Sequence, residues 1–287
     1  MAALKGRPYD GPDKVRPTAC EEDGETMRAL YTAASGMNAQ QANIDNVANN
    51  LANVNTVGFK KSRIDFEDLV YQQITAPGTP TSQDAQAPLG LESGLGTRAV
   101  ATVRNFAAGN LRSTSSPFDL AIEGNGFFQV ALPSGETGYT RAGSLHANAE
   151  GQLVTSDGYA LQPEISIPAN AQSITISKDG IVSVSVPGQP EPQQVGNLEL
   201  ATFQNPAGLQ ALGGNVYAVT SASGDPTTGV PGVDGMGTIA QGFLEESNVS
   251  VVEEMVQMIL GQRAYEANSR VIRAADEMLQ QVNNLSR

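Results

Sequence analysis

The run MRALYTAASGMNAQQANIDNVANNLANVNT, residues 27–56, repeats its apolar residues every seven positions. Leu30, Met37, Ile44 and Leu51 form one row. Ala33, Gln40, Val47 and Val54 form a second row three positions on, broken only by Gln40. Alternating steps of three and four over roughly four heptads describe a coiled-coil-like seam. The periodicity predicts a helix from Arg28 to about Thr56, with Gly58 as its stop, since glycine takes the left-handed conformation cheaply. Asn46, Asn49, Asn50, Asn53 and Asn55 sit inside this run although asparagine is a poor helix-interior residue. None of them replaces a seam hydrophobe, so they make a neutral polar face around the rest of the helix.

The other end of the chain mirrors the first. Val252, Val256, Leu260, Ala264, Ala267, Val271, Ala275, Met278, Val282 and Leu285 recur every three or four residues. They predict a helix from about Val249 to Asn284, capped by Ser247 or Asn248, with Glu253 and Glu254 suiting its first turn. The two apolar stripes can bury against each other or against copies from other subunits. Between them, residues 75–97 are rich in Pro, Gly, Ser and Thr without periodicity, a length that suits a disordered or partner-held segment. Arg98 to Phe243 alternates short β-like runs with turns, and residues 173–186 (SITISKDGIVSVSV) read as a hairpin around Lys178-Asp179-Gly180. The fold class expected is α+β, with an all-β middle bracketed by the two helices.

Composition narrows the function. The chain has 287 residues, 40% of them hydrophobic but only 16% charged, with 30 glycines, 16 prolines and no tryptophan. The core must therefore rest mainly on Val, Ile, Leu and Ala. A net charge of −13 and scattered Lys and Arg argue against a nucleic-acid partner. No run of 18 apolar residues offers a membrane-spanning helix, and none is expected to insert. Residues 1–26 lack the apolar stretch of a secretory signal and read as a disordered extension upstream of a natural start at Met27.

No catalytic or cofactor motif stands out. Cys20 and His146 are the chain's single cysteine and histidine. Neither has the spacing of a metal set or a catalytic dyad. Gly94-Leu95-Gly96 and Gly124-Asn125-Gly126 lack the strand-to-helix context of a phosphate loop. Asp225 and Asp234 lack the alternating acids of a calcium loop. Glu245-Glu246 and Glu253-Glu254 could in principle flank a sugar, but acids at a helix start are explained by the helix dipole. No cofactor and no metal are expected, and the reading is a structural protein.

The run ALYTAASGMNAQQANIDNVANNLANVNTVGFKKSRIDFEDLVYQ, residues 29–72, resembles the N-terminal region shared by bacterial flagellar rod and hook proteins. Residues 119–130 (DLAIEGNGFFQV), 139–145 (YTRAGSL) and 151–159 (GQLVTSDGY) are similar to the family's β region, and residues 245–280 to its closing helix. The resemblance runs from Met27 to Arg287. The length, the stretch Phe66–Gly96, Pro168–Asn170 and Gln262–Glu266 incline it to the distal-rod branch; a proximal rod subunit or a short hook-type protein is the alternative. An enzyme remodelling peptidoglycan and a β-rich adhesin are competing classes.

The resemblance implies a subunit that polymerises with itself into a helical tube. Such a tube crosses the periplasm, carries torque to the hook and encloses part of the export channel. Partners implied are proximal rod proteins, the hook protein, the rings around the rod and the flagellar type III export apparatus, with no cleaved signal. The expected organisation is 1–26 extension; 27–60 N-terminal assembly helix; 61–97 linker and extended inter-subunit arm; 98–246 β-rich outer domain; 247–287 C-terminal assembly helix pairing with 27–60. Assembly contacts are assigned to Leu30, Met37, Ile44, Val47, Asn49, Asn50, Leu51, Asn53, Val54 and Gly58. On the C-terminal helix they are assigned to Val252, Val256, Leu260, Tyr265, Val271, Met278 and Val282. Arm contacts are assigned to Tyr71, Pro77, Pro80, Pro88, Gly94 and Gly96. Both terminal segments are expected to order only in the polymer, because lone helices of this composition are marginal in water.

Overall fold

The computed structural model describes residues 19–82, 85–86, 88–188 and 191–285, apart from the side chains at 19–27, 80–82, 85–86, 282, 283 and 285. Two helices and a many-stranded middle make the fold α+β, as the hydrophobic periods require. Helix α1 spans Ala19–Ala52 and helix α2 spans Val251–Leu285. Among the described residues no helix is long and apolar enough to cross a membrane.

Helix α1 differs from expectation at both ends. It begins at Ala19 rather than Arg28, so Ala19–Thr26 are helical and only residues 1–18 of the presumed disordered extension lie outside the described residues. Past Pro17 no proline opposes the helix, and acids at its start favour it. It stops at Ala52 rather than Thr56 because the Asn53 side chain intervenes. Asn53 Nδ2 donates to the Asn49 carbonyl at 2.9 Å, and the Asn53 N–H divides between the carbonyls of Asn49 and Asn50. Asparagine offers the backbone such alternatives to helix, and here they end it.

The described residues divide into two compact units, one drawn from residues 19–41, 66–99 and 261–285, the other from residues 42–65 and 100–260. In the first unit, strands Tyr71–Thr75 and Leu91–Gly94 pair antiparallel, with Tyr71 opposite Gly94, and Pro80–Ser82 pairs with Ala85–Gln86. The predicted extended arm thus pairs with itself in two-stranded segments, with a turn at Gly78 (φ 84°) between Thr75 and Pro80 on its first side. Glycines elsewhere in this unit leave room for neighbouring side chains. A Cβ on Gly36 would stand 2.9 Å from Asn268 Nδ2, and one on Gly96 would collide with Ser35 Oγ.

The second unit holds the core. Its main sheet orders strands Gln210–Gly213, Val216–Ala218, Thr137–Thr140, Phe127–Ala131, Leu200–Thr202 and Thr227–Gly229, with Leu161–Gln162 also paired to Phe127–Ala131. The predicted hairpin forms as Ser173–Ile176 and Ile181–Ser185, with Gly180 in the turn. Leu120, Ile122, Phe128, Val130, Leu145, Val182, Val184, Leu200 and Ile239 form one sealed apolar core. Phe127, Tyr139, Phe203 and Tyr217 form a second cluster against Phe106, with edge-on ring pairs 4.9 to 6.2 Å apart. Edge-to-face contact is the favoured geometry for such rings.

Two long-range pairings bring the chain's end to its middle. Thr238–Gln241 pairs with Leu120–Glu123, and Phe243–Glu245 pairs with Leu111–Ser113, placing Glu245 opposite Leu111. This delivers the start of α2 to the segment that follows α1.

Candidate assembly interface

Lys60, Lys61 and Ser62 follow α1; the second unit ties the two lysines to residues near the start of α2 and Ser62 to Asn46 and Asn50 of α1. Lys60 Nζ donates to Glu245 Oε1 at 2.6 Å and to the Ala107 carbonyl at 2.8 Å. Arg141 Nη1 reaches the other oxygen of Glu245 at 3.4 Å, and its Nη2 donates to the Gly124 carbonyl at 2.7 Å. All three charged side chains are sealed from solvent. Burial pushes the Lys60 ammonium below its ordinary pKa, against the opposing pull of Glu245. Burial likewise lowers Arg141. Each cation is desolvated, and the carboxylate between them makes that tolerable.

Glu254 forms a second node. Lys61 Nζ pairs with one of its oxygens at 2.6 Å, and Asn50 Nδ2 donates to the other at 3.2 Å. The hydrogen bond to Glu254 raises Lys61 above the ordinary lysine pKa. Asn50 is only 1% exposed. Its Nδ2 also donates to the Ser62 carbonyl at 2.8 Å, and its Oδ1 accepts from the Ser62 N–H at 3.0 Å. Asn46 Oδ1 accepts from Ser62 Oγ at 2.6 Å. Asn248 Oδ1 accepts from the Lys61 N–H at 2.8 Å, while its Nδ2 donates to the carbonyls of Asn105 and Ala107. Gly58 lets the chain pass here: its φ is 71°, and a Cβ would stand 2.6 Å from the Ala142 nitrogen.

Above this polar knot α2 turns a different face outward. Val252, Met255, Val256, Ile259 and Leu260 are 48 to 73% exposed. They recur at three- and four-residue steps, the spacing of one helix face. Full burial of a large aliphatic side chain contributes roughly 1.5–3 kcal/mol. The isolated chain forgoes much of that here.

Family comparisons agree with this division into a β core and terminal helices. Residues 30–60 match the family described as flagella basal body rod protein. Residues 121–184 match the flagellar hook protein FlgE/F/G D1 domain, and residues 240–285 match the flagellar basal body rod FlgEFG protein C-terminal family. The flagellar basal-body rod protein FlgG of Borreliella burgdorferi is 51% identical over 263 residues, 91% of this chain and 99% of its own. The chain belongs to the flagellar basal-body rod family. It is a structural subunit of the distal rod of the basal body, and not an enzyme. The rod protein FlgG of Caulobacter vibrioides is 50% identical over 90% of this chain and 99% of its own length. That of Bacillus subtilis is 40% identical over 91% of this chain and 100% of its own. Among solved structures, the crystal structure of Helicobacter pylori flagellar hook protein FlgE2 matches 64% of this chain and 43% of that chain, at 12% identity and a TM-score of 0.23. That likeness is too distant to bear on the fold.

The rod subunit places the expected interface residues in several settings. Val47 is buried within the chain, and Leu30, Met37, Ile44, Leu51, Val54 and Asn53 are half-buried. Asn49 is exposed. Asn50 and Gly58 are buried by contacts within the chain: Ser62 and Glu254 take every polar atom of the Asn50 amide, and Gly58 lies against the Ala142 backbone with its N–H on the Glu245 carbonyl. On α2, Val252, Val256, Leu260, Tyr265, Val271 and Met278 are exposed. The Val282 side chain lies outside the described residues. Of the stripe on this helix, Ala275 faces inward while Val252, Val256, Leu260, Val271 and Met278 face out. The inward positions are Glu254, Gly261, Asn268 and Ala275, also seven apart. Tyr71, Pro77, Pro88 and Gly94 are exposed, Gly96 is half-buried, and the Pro80 side chain is outside the described residues.

Lys60, Ser62, Arg141, Glu245, Asn248 and Glu254 were missed as a site. The helix-dipole explanation suits Glu253, which is 70% exposed, but not Glu254 or Glu245, whose oxygens are taken by cations. Asn248 lies outside α2 and braces loops instead of capping it. The one signal in the sequence was the Lys60-Lys61 doublet, two of only five lysines, placed just after the helix.

Proposed function

We propose that this rod subunit polymerises with copies of itself through the outward face of α2, building the helical tube of the distal rod. The observation that carries the reading is that face: Val252, Met255, Val256, Ile259 and Leu260 are apolar, contiguous and exposed in a chain of net charge −13. Like-charged copies repel, so contact favours a patch that carries no charge. Residues 255–260 (MVQMIL) contain none. The stripes of α1 and α2 complete coiled-coil-like packing between subunits. The ribbon at residues 71–94 acts as the inter-subunit arm, since a lone two-stranded ribbon is marginal in water and this one exposes Tyr71, Ile74 and Leu91. The tube crosses the periplasm, carries torque from proximal rod proteins to the hook protein within the surrounding rings, and encloses the path used by the flagellar type III export apparatus.

The test is electron microscopy and sedimentation of the full chain at high concentration. Tubes are expected from the parent chain and only monomers from Val256→Asp and Ile259→Asp. Globular monomers at every concentration of the parent, or tubes from both variants, would sink the reading.

A further inference from the structure

Helix α2 sets two opposed demands at its first turns. At about 100° per residue, Val252, Met255, Val256, Ile259 and Leu260 lie on the side away from Glu254. Hydrophobicity alone would roll this apolar face onto the chain's own surface and leave the carboxylate in water. The structure has the reverse: Glu254 is 1% exposed, and the five apolar residues face out. Both of its oxygens are engaged, by Asn50 from α1 and by Lys61 from the segment after it. Rolling α2 would break both contacts together, and would leave the Asn50 amide buried with its remaining partner alone. Glu253, one residue away and largely exposed, reaches Lys61 only at 3.6 Å, far longer than the 2.6 Å contact of Glu254.

We propose that Glu254 sets the rotational phase of α2 and thereby keeps its apolar face outward for a second copy of this chain. Glu254 is a positioning residue: it makes no contact with the second copy itself. The occupant follows from charge, since the stripe is uncharged and every copy is strongly acidic. This inference rests on the self-assembly reading above, and its two halves are separable by experiment.

The reporters are Val256→Cys and Met258→Cys, each in the full chain with Cys20→Ser, labelled by a maleimide in dilute monomer. In the parent, position 256 should label about tenfold faster than position 258, because exchange of a half-buried site needs local opening. Glu254→Leu should bring the two rates together or reverse them, and should abolish sedimentable polymer; Glu253→Gln should change neither. Should Glu254→Leu fail to fold, Glu254→Gln, which retains an acceptor for Asn50 but gives up the ion pair, should move both readouts part of the way. An unchanged rate ratio in the Glu254 variants overturns the proposal, whatever happens to polymerisation. A reversed ratio with undiminished polymer keeps the phase role, but overturns the outward face as the contact between copies.

Discussion

Lys60 Nζ lies 2.6 Å from Glu245 Oε1 with both side chains sealed from solvent. With Arg141 on the other oxygen, the cluster sets two buried cations against one carboxylate. Removing a single member of a buried pair costs about 3–5 kcal/mol, far more than the pair's net contribution, because the remaining charge stays desolvated. Glu245→Gln should therefore destabilise more than Lys60→Met, since it strands two cations while Lys60→Met leaves Glu245 with Arg141. The double variant should cost less than the sum. Urea unfolding of dilute monomer measures all three; equal, additive losses would contradict the cluster.

The two lysines should respond to alkaline pH with opposite signs. Lys61 has a raised folded pKa, so its contribution is fully present below the ordinary 10.5 and is lost as pH rises through the higher folded value. Lys60 has a lowered folded pKa, so the unfolded chain holds that proton longer, and its contribution to stability rises with pH between the lowered value and 10.5. Lys61→Met should flatten the loss above 10.5 in unfolding curves taken across alkaline pH. A variant that loses stability along the parent's curve would show that Lys61 does not carry it.

Asn50→Leu should destabilise the monomer by about 1–3 kcal/mol for each buried group it leaves unpaired, among them the Ser62 N–H. Asn49→Leu, on the exposed side of the same turn, should be neutral within about 0.5 kcal/mol. Equal effects of the two variants in denaturant titration would refute the buried latch.

Gly58→Ala should be costly and Gly78→Ala mild. Both have positive φ, but a Cβ at Gly58 meets the Ala142 backbone whereas nothing lies within 4 Å at Gly78. Left-handed strain is common to both, so the difference in melting temperature isolates the collision.

Hydrogen exchange on dilute monomer should find Asn46–Ala52 and Val251–Met258 protected, because their buried partners lie in the same chain. That outcome would confine polymer-dependent ordering to the outer parts of both terminal segments. Fast exchange throughout both segments would extend it to their inner ends.

Much of the fold was legible because periodicity is a local property. Seven-residue spacing marked α1, alternation around Gly180 marked a hairpin, and runs such as FFQV became core strands. The boundaries of α1 were not legible, because Asn53 ends the helix through its side chain and nothing in the spacing of hydrophobes records that. The asparagine run leaves the seven-residue spacing of hydrophobes intact, but it conceals one residue, Asn50, which is buried whereas Asn49 beside it is exposed.

The sequence by itself determined the class of fold, the family and the existence of two apolar stripes, since composition, motif and period all lie along the chain. Only the tertiary structure decided which face of α2 turns inward. An apolar stripe states a need for burial without naming the partner. Asn50 and Glu254 stand 204 positions apart, and Lys60 and Glu245 stand 185 apart. Strand pairing at Phe243–Glu245 is what brings these charges together, and desolvation then makes their mutual contacts obligatory.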